Sequence, residues 1–229
     1  MNKVYATTAE AIADVDDGAV IMFGGFGSAG SPTNLILALA EKGTKDITAI
    51  SNNIGLGDKL DTLCQNKQIR KFIGSFPIRA TSQRPDLLYQ AYLAGEVEIE
   101  VVPQGTMAER IRVGGAGIGG FYTPTGIGTS VAEGKEERVI DGVRHLLEFP
   151  LKADFAFIKA YKADTMGNLV YRMSTRNFNP IMATAARITI VDVEEIVEPG
   201  DLDPEAIATP GIYVDRIVKG PKHDLHGFE

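Results

Sequence analysis

The 229-residue sequence has no tryptophan, one cysteine and three histidines. A single thiol, Cys64, excludes an intramolecular disulfide and a cysteine metal cluster. It lies beside Leu60 and Leu63 in the helical-looking segment Asp58 to Lys67, the setting of a buried, inert thiol. His145 falls in a strand-like Val-Arg-His-Leu-Leu run and His223 and His226 in a polar tail. Neither a serine-histidine triad nor paired metal-ligand spacing can be assembled from them, and no metal is expected. No apolar run is long enough to cross a bilayer, and Met-Asn-Lys-Val-Tyr-Ala offers no signal-peptide core, so a cytoplasmic location is expected by default. The formal charge is −7 with no basic run, which argues against a nucleic-acid surface and an anionic membrane as partners.

Glycine, by contrast, is abundant, with 25 residues. Val20, Ile21, Met22 and Phe23 form an apolar run of the kind that makes a strand buried on both faces. Gly24, Gly25, Phe26, Gly27, Ser28, Ala29 and Gly30 then strip most side chains from a turn, letting a ligand approach the backbone. Ser31 and Pro32 read as an N-cap and first helical residue, so the loop amides should converge on a helix N-terminus and favour an anion. Gly25, Gly27 and Gly30 also match the dinucleotide fingerprint spacing. That fingerprint needs an acidic residue ending the second strand, where this chain has Asn52 and Asn53, so a nicotinamide site is disfavoured.

Along the chain, helices are expected at Thr8 to Val15, Thr33 to Lys42, Asp58 to Lys67 and Arg84 to Ala94. They alternate with strands at Val20 to Phe23, Asp46 to Ser51, Ile69 to Gly74 and Val97 to Val102. This is the pattern of a doubly wound, mostly parallel α/β sheet. Ligands of such sheets lie beyond the carboxyl ends of the strands, which here carry Gly24 to Gly30, Ser51-Asn52-Asn53, Ser75-Phe76-Pro77 and Pro103-Gln104-Gly105. The glycine-dense stretch from Ile111 to Thr129 is expected to be irregular but packed backbone. Asp141-Gly142 is a tight hairpin turn between Arg138 to Ile140 and Val143 to Glu148. Strands at Asp154 to Tyr161, Leu169 to Arg172 and Arg187 to Val193 and a helix at Pro180 to Ala186 complete one compact unit, residues 1–229. Met107, Met166 and Met173 read as packing residues.

The block from Asp17-Gly18 through Gly24-Gly25-Phe26 to Gly30 and Pro32 resembles the signature of the A (alpha) subunit of family I CoA-transferases, the 3-oxoacid CoA-transferase group. The likeness continues through Ser51-Asn52-Asn53, Val102-Pro103-Gln104-Gly105-Thr106, Ala108 to Arg112, Gly114 to Gly117, Thr123 to Gly126 and Arg176-Asn177-Phe178-Asn179-Pro180. The resemblance implies a three-layer α/β/α CoA-transferase (NagB/RpiA-like) fold. It also implies reversible transfer of CoA between an acyl-CoA such as succinyl-CoA and a carboxylate such as acetoacetate or 3-oxoadipate. No cofactor is implied, coenzyme A being a substrate. The family's nucleophilic glutamate belongs to a Ser-Glu-Asn-Gly motif of the B subunit that is absent here, so a partner B subunit is implied, in an α2β2 heterotetramer.

The same resemblance assigns Gln104 to the oxyanion hole and the Gly24 to Gly30 loop to CoA binding. Asn52 and Asn53 are candidates to orient substrate, although asparagines after a strand also close turns. Phe121 is a candidate to close an acyl channel. Glu109, beside Arg110 and Arg112, and the run Glu133, Glu136 and Glu137 read as solvated charges rather than nucleophiles. Ser75-Phe76-Pro77 is more similar to the 3-oxoadipate enzymes than to the succinate/acetoacetate ones. Arg79, Arg84 or Arg112 are candidates to hold a second substrate carboxylate by a bidentate contact. Two other classes stay open: a noncatalytic acyl-CoA or sugar-phosphate binding module, and an NAD-dependent oxidoreductase.

Overall fold

The structure is a computed structural model that describes residues 3–55, 58–78 and 86–221. In chain order its helices are α1 (Thr8–Ala11), α2 (Thr33–Lys42), α3 (Asp61–Gln65), α4 (Leu87–Leu93), α5 (Gln104–Gly115) and α6 (Asn179–Thr184). Its strands are β1 (Val20–Phe23), β2 (Ile47–Ser51), β3 (Ile69–Gly74), β4 (Glu98–Val101), β5 (Phe121–Thr123), β6 (Glu137–Ile140), β7 (Val143–Glu148), β8 (Ala153–Asp164), β9 (Leu169–Val170), β10 (Ala186–Val197) and β11 (Arg216–Lys219).

The main sheet runs β11-β10-β8-β1-β2-β3-β4, every neighbouring pair parallel, and β9 pairs antiparallel with β8. Strand alternation splits the interior into two cores. Ile21, Phe23, Ile47, Ala49, Phe155 and Phe157 pack with α1, α2, α3 and α4 through Ala11, Leu35, Ile36, Leu39, Leu63 and Leu88. Met22, Ile50, Ala156 and Ile158 face the other way, onto Met107 and Ile111 of α5 and Met182 and Ala183 of α6. A sheet buried on both faces requires the near-continuous apolar strands seen in the sequence. The layers are therefore α/β/α. Among the described residues, no helix is long and apolar enough to cross a membrane.

The chain proceeds from β1 outward to β4, then returns to lay β8, β10 and β11 on the other side of β1. The β1/β8 boundary is a topological switch point, and the glycine loop leaves β1 there. The outer side of β11 is sealed by the start of the chain, where Tyr5 N donates to Ile217 O (2.9 Å) and Ile217 N to Lys3 O (2.8 Å). At the opposite edge, Glu98 and Glu100 of β4 both pair with Lys71 of β3.

Several local expectations need correction. The helix expected from Asp58 begins at Asp61, because the Asp58 carboxylate accepts from Gly55 N and Leu60 N in a turn that places Lys59 at φ +67°. Pro32, not Ser31, is the N-cap of α2, and the Ser31 hydroxyl donates elsewhere, to Asp58 O (2.9 Å). The stretch from Ile111 to Thr129 is not irregular throughout, since α5 continues to Gly115 and β5 spans Phe121–Thr123. Its glycines are there for contact: a Cβ on Gly114 would stand 2.2 Å from Leu151 O, and one on Gly115 2.1 Å from Thr184 Oγ1. The expected strand at Leu169 to Arg172 shrinks to two residues, β9, while β8 and β10 run longer than expected. The Asp141-Gly142 turn is as expected, with φ of +51° and +79° between β6 and β7. Those strands and β5 form a small antiparallel sheet, anchored to α5 by Leu151 N donating to Arg110 O and by the buried Glu148 carboxylate between Lys135 and Arg110.

Close packing at Gly114 makes a testable distinction from a flexible glycine segment. Helix propensity alone favours Gly→Ala by about 0.5–1 kcal/mol. The contact with the Leu151 carbonyl reverses the sign, and Gly114→Ala is expected to destabilise the chain by about 1–3 kcal/mol. A lower midpoint in urea unfolding is the expected result, and an unchanged or higher one refutes the packing argument.

Candidate functional site

The site is built where β1, β2, β3 and β4 end. Gly24 N continues the β1/β8 ladder by donating to Phe157 O (2.9 Å). Gly24 has no room for a side chain, because a Cβ there would lie 1.9 Å from Asn179 Oδ1. Phe26 and Ala29 exchange backbone hydrogen bonds at 3.0 and 3.1 Å, folding the loop into a tight hairpin with Gly25 at φ +116° and Gly27 at φ +59°. Asparagines hold it from both sides. Asn53 Oδ1 accepts from Gly27 N (2.7 Å), while Asn177 Nδ2 donates to Ala29 O (2.9 Å) and Asn179 Nδ2 to Gly30 O (3.1 Å). Asn179 Oδ1 accepts from Lys159 N of β8 (2.9 Å), so the loop is fixed to the strand across the switch point.

The α2 N-terminus behind this loop does not stand open for a ligand anion. Asn34 N and Asn34 Nδ2 both donate to Asp192 Oδ2, at 3.3 and 2.9 Å. Thr33, Leu35 and Ile36 donate their amides to Ser31 O and Pro32 O. Asp192 is fully buried on β10, opposite Lys159 in register, and its Oδ1 accepts from Lys159 Nζ (3.0 Å). Burial pushes the Asp192 carboxyl above the ordinary carboxylate range, opposed by the Lys159 charge and the Asn34 donors. The helix start that the sequence offers to an incoming anion thus holds a carboxylate of the chain itself.

The other strand ends are joined by a row of side-chain amides. Gln104, the first residue of α5, donates Nε2 to Asn52 Oδ1 (2.7 Å), and Asn52 Nδ2 donates to Asn53 Oδ1 (2.9 Å). Asn53 Nδ2 donates to Asp58 Oδ2 (2.5 Å). The backbone carbonyl of Asn52 accepts from Ser75 N and Phe76 N, tying the β3 end to the same cluster. Asn52 and Asn53 are buried, and Gln104 is half-buried. A primary amide carries two N–H donors, so among the described residues Gln104 keeps one after bonding Asn52. Phe26 and Phe76, 51% and 45% exposed, rim the cluster with unpacked aromatic surface.

The structure therefore brings together the glycine loop, Asn52, Asn53 and Gln104. Phe121 is placed on β5 opposite Glu148, and among the described residues no hydrogen bond or ring contact joins it to that cluster. Arg112 pairs with Glu109 on the surface of α5 (2.6 Å), which holds the Glu109 carboxyl below its usual range. Glu136 accepts from the Tyr122 hydroxyl, and Glu137 pairs with Arg144. Arg79, Arg84, His223 and His226 lie outside the described residues. Met107 is buried as expected, but Met166 and Met173 are 59% and 90% exposed, so neither packs. Sequence reasoning gave no role to Asp58, Asn177, Asn179 or Asp192. Asn177 and Asn179 carried a signal in the Arg176 to Pro180 motif, whereas nothing local marks Asp192 as the partner of a helix in another layer.

The coenzyme A transferase family model matches residues 5–220. The chain is 50% identical over 225 residues to the A subunit of a probable succinyl-CoA:3-ketoacid coenzyme A transferase of Bacillus subtilis, covering 98% of this chain and 92% of that protein. It is 52% identical over 219 residues to the A subunit of the 3-oxoadipate CoA-transferase of Pseudomonas putida, covering 95% and 94% respectively. Among solved structures, glutaconate coenzyme A-transferase from Acidaminococcus fermentans shares the fold with a TM-score of 0.83 at 22% identity, over 96% of this chain and 76% of that one.

Asn53 is the hinge of the cluster, since one side chain serves Gly27, Asn52 and Asp58. Asn53→Ala leaves the Gly27 amide and the Asp58 carboxylate short of a partner and is expected to cost about 1–3 kcal/mol. Hydrogen exchange at the Gly27 amide should accelerate markedly relative to amides of β8. Equal protection in the variant would show that the loop is held by other means.

Proposed function

Because the chain belongs to the coenzyme A transferase family, we propose that it is the A subunit of a heteromeric 3-oxoacid CoA-transferase. It moves CoA reversibly between an acyl-CoA such as succinyl-CoA and a 3-oxo carboxylate, acetoacetate or 3-oxoadipate. The observation that carries this reading is the Gln104 carboxamide, held by Asn52 at the strand ends with one N–H left to give.

The nucleophile is a glutamate of the partner B subunit. Its carboxylate attacks the thioester carbonyl, forming an acyl-glutamyl anhydride and releasing CoA thiolate. The thiolate then attacks the glutamyl carbonyl, expelling the first carboxylate and leaving a glutamyl-CoA thioester, and the acceptor acid runs the two steps in reverse. The activated bond is conserved throughout, so neither metal nor organic cofactor is required. Each addition places negative charge on a carbonyl oxygen, and a preplaced neutral donor stabilises it without trapping the attacking carboxylate in an ion pair. Gln104 fills that role. The amides of Gly25, Ser28 and Gly30 make no hydrogen bond among the described residues, which suits a loop that receives part of the CoA molecule. The exposed Phe26 and Phe76 beside the cluster suit cover by the B subunit, in a heterotetramer of two A and two B chains.

The test is CoA transfer from succinyl-CoA to acetoacetate and to 3-oxoadipate, by this chain alone and mixed with a B subunit carrying Ser-Glu-Asn-Gly. Activity is expected only in the mixture, and Gln104→Ala is expected to lower kcat about 10²–10³-fold with the subunits still assembled. Activity of the isolated chain would sink the shared-site reading, and a Gln104→Ala enzyme of full activity would remove Gln104 from the oxyanion hole.

A further inference from the structure

Two long helices begin at the carboxyl edge of the sheet, and their first turns are opposites. The α2 start is filled, as described, by Asp192 and by turn carbonyls. The α5 start has Pro103 as its N-cap, with no side-chain cap, and its first backbone bond is Met107 N to Pro103 O. The amides of Gln104, Gly105 and Thr106 thus have no acceptor among the described residues, and a Cβ built on Gly105 meets nothing within 4 Å. Thr106 is only 4% exposed, yet its Oγ1 has no hydrogen-bond partner among the described residues. Helical Cα–Cβ bonds tilt toward the N-terminus, so the Thr106 side chain sets off on the side of the open amides. Buried hydroxyls are normally paired, and one left unpaired beside three unpaired amides at a helix start marks a place for an anion.

We propose that the first turn of α5, the amides of Gln104, Gly105 and Thr106 with the Thr106 hydroxyl, binds the carboxylate of the 3-oxo acid. This deepens, and rests on, the CoA-transferase reading above. The placement gives one residue two duties: the Gln104 backbone amide helps seat the acid group, while its side-chain amide, oriented by Asn52, reaches the oxyanion. The helix dipole and neutral donors hold the carboxylate without a cation, leaving it nucleophilic. Where the bound carboxylate is the reacting one, no charge has to be stripped from it before it attacks.

The test is a titration of the full ¹⁵N-labelled chain with sodium acetoacetate, its neutral methyl ester and inorganic phosphate, repeated on Thr106→Val. Saturable shifts of the Gly105 and Thr106 amides are expected with acetoacetate and not with the ester. Thr106→Val should weaken acetoacetate about tenfold. Its unfolding midpoint should stay level or rise, because an unpaired buried hydroxyl has been replaced by a methyl of similar shape. Shifts with phosphate but not acetoacetate would reassign the turn to a coenzyme phosphate. Unchanged affinity in Thr106→Val, or no shift at these amides with any anion, overturns the proposal outright. Transfer assays of the mixed subunits are read separately: their failure would discard the CoA-transferase reading while the carboxylate titration still reports on the turn.

Discussion

Asn179 occupies the space that a side chain on Gly24 would need, and the arrangement of the site depends on that exchange of volume. The side chain is fully buried and fully engaged, accepting from Lys159 N and donating to Gly30 O and Thr175 O. Buried amides are tolerated only when their bonds are satisfied, so these partners are fixed together or not at all. The glycine loop is for that reason a rigid part of the β1/β8 boundary rather than a pliable cradle. One side chain thereby ties the end of the loop at Gly30 to Thr175 and to β8 at Lys159.

The parts of the fold legible in the sequence are those where one physical signal dominates. The apolar run at Val20 to Phe23 gave its strand at the observed bounds, because a strand buried on two faces has no polar alternation to blur it, and Ile69 to Gly74 was legible too, although Arg70 and Lys71 interrupt its apolar residues. Thr33 to Lys42 was legible as a helix through its apolar spacing and the left-handed Gly43 that stops it. Illegible were features decided by a distant partner. Gly114 and Gly115 read as loop residues until Leu151 and Thr184 are seen pressed against them. The Ser31 hydroxyl is drawn from the helix start to Asp58 O, and β11 has too few apolar residues to announce itself without β10 beside it. In the candidate site, the residue types at the strand ends were legible, but not the order in which their amides join.

That order matters electrostatically. From Gln104 through Asn52 to Asn53 every member is neutral, and the first charge met is Asp58, buried and already accepting from Gly55 N and Leu60 N. The chain's other buried carboxylate near the site, Asp192, is matched by Lys159. The row thus ends in a charge at its buried end and in the neutral, half-buried Gln104 at the other, and such dipoles act strongly in a site shielded from water.

The seam between residues 3–5 and Ile217 bears on how the molecule is made. During synthesis β1 to β4 emerge first and can pair in order, but the flank of β1 that receives β8 stays bare until the hairpin of the small sheet has been passed. The last strand then closes against the first residues. Since the glycine loop bridges β1 and the segment around Asn179, the ligand-facing end of the sheet takes shape only when both halves have left the ribosome. A nascent or truncated chain ending before β8 would therefore present an unpaired strand flank, a target for chaperones, and no site.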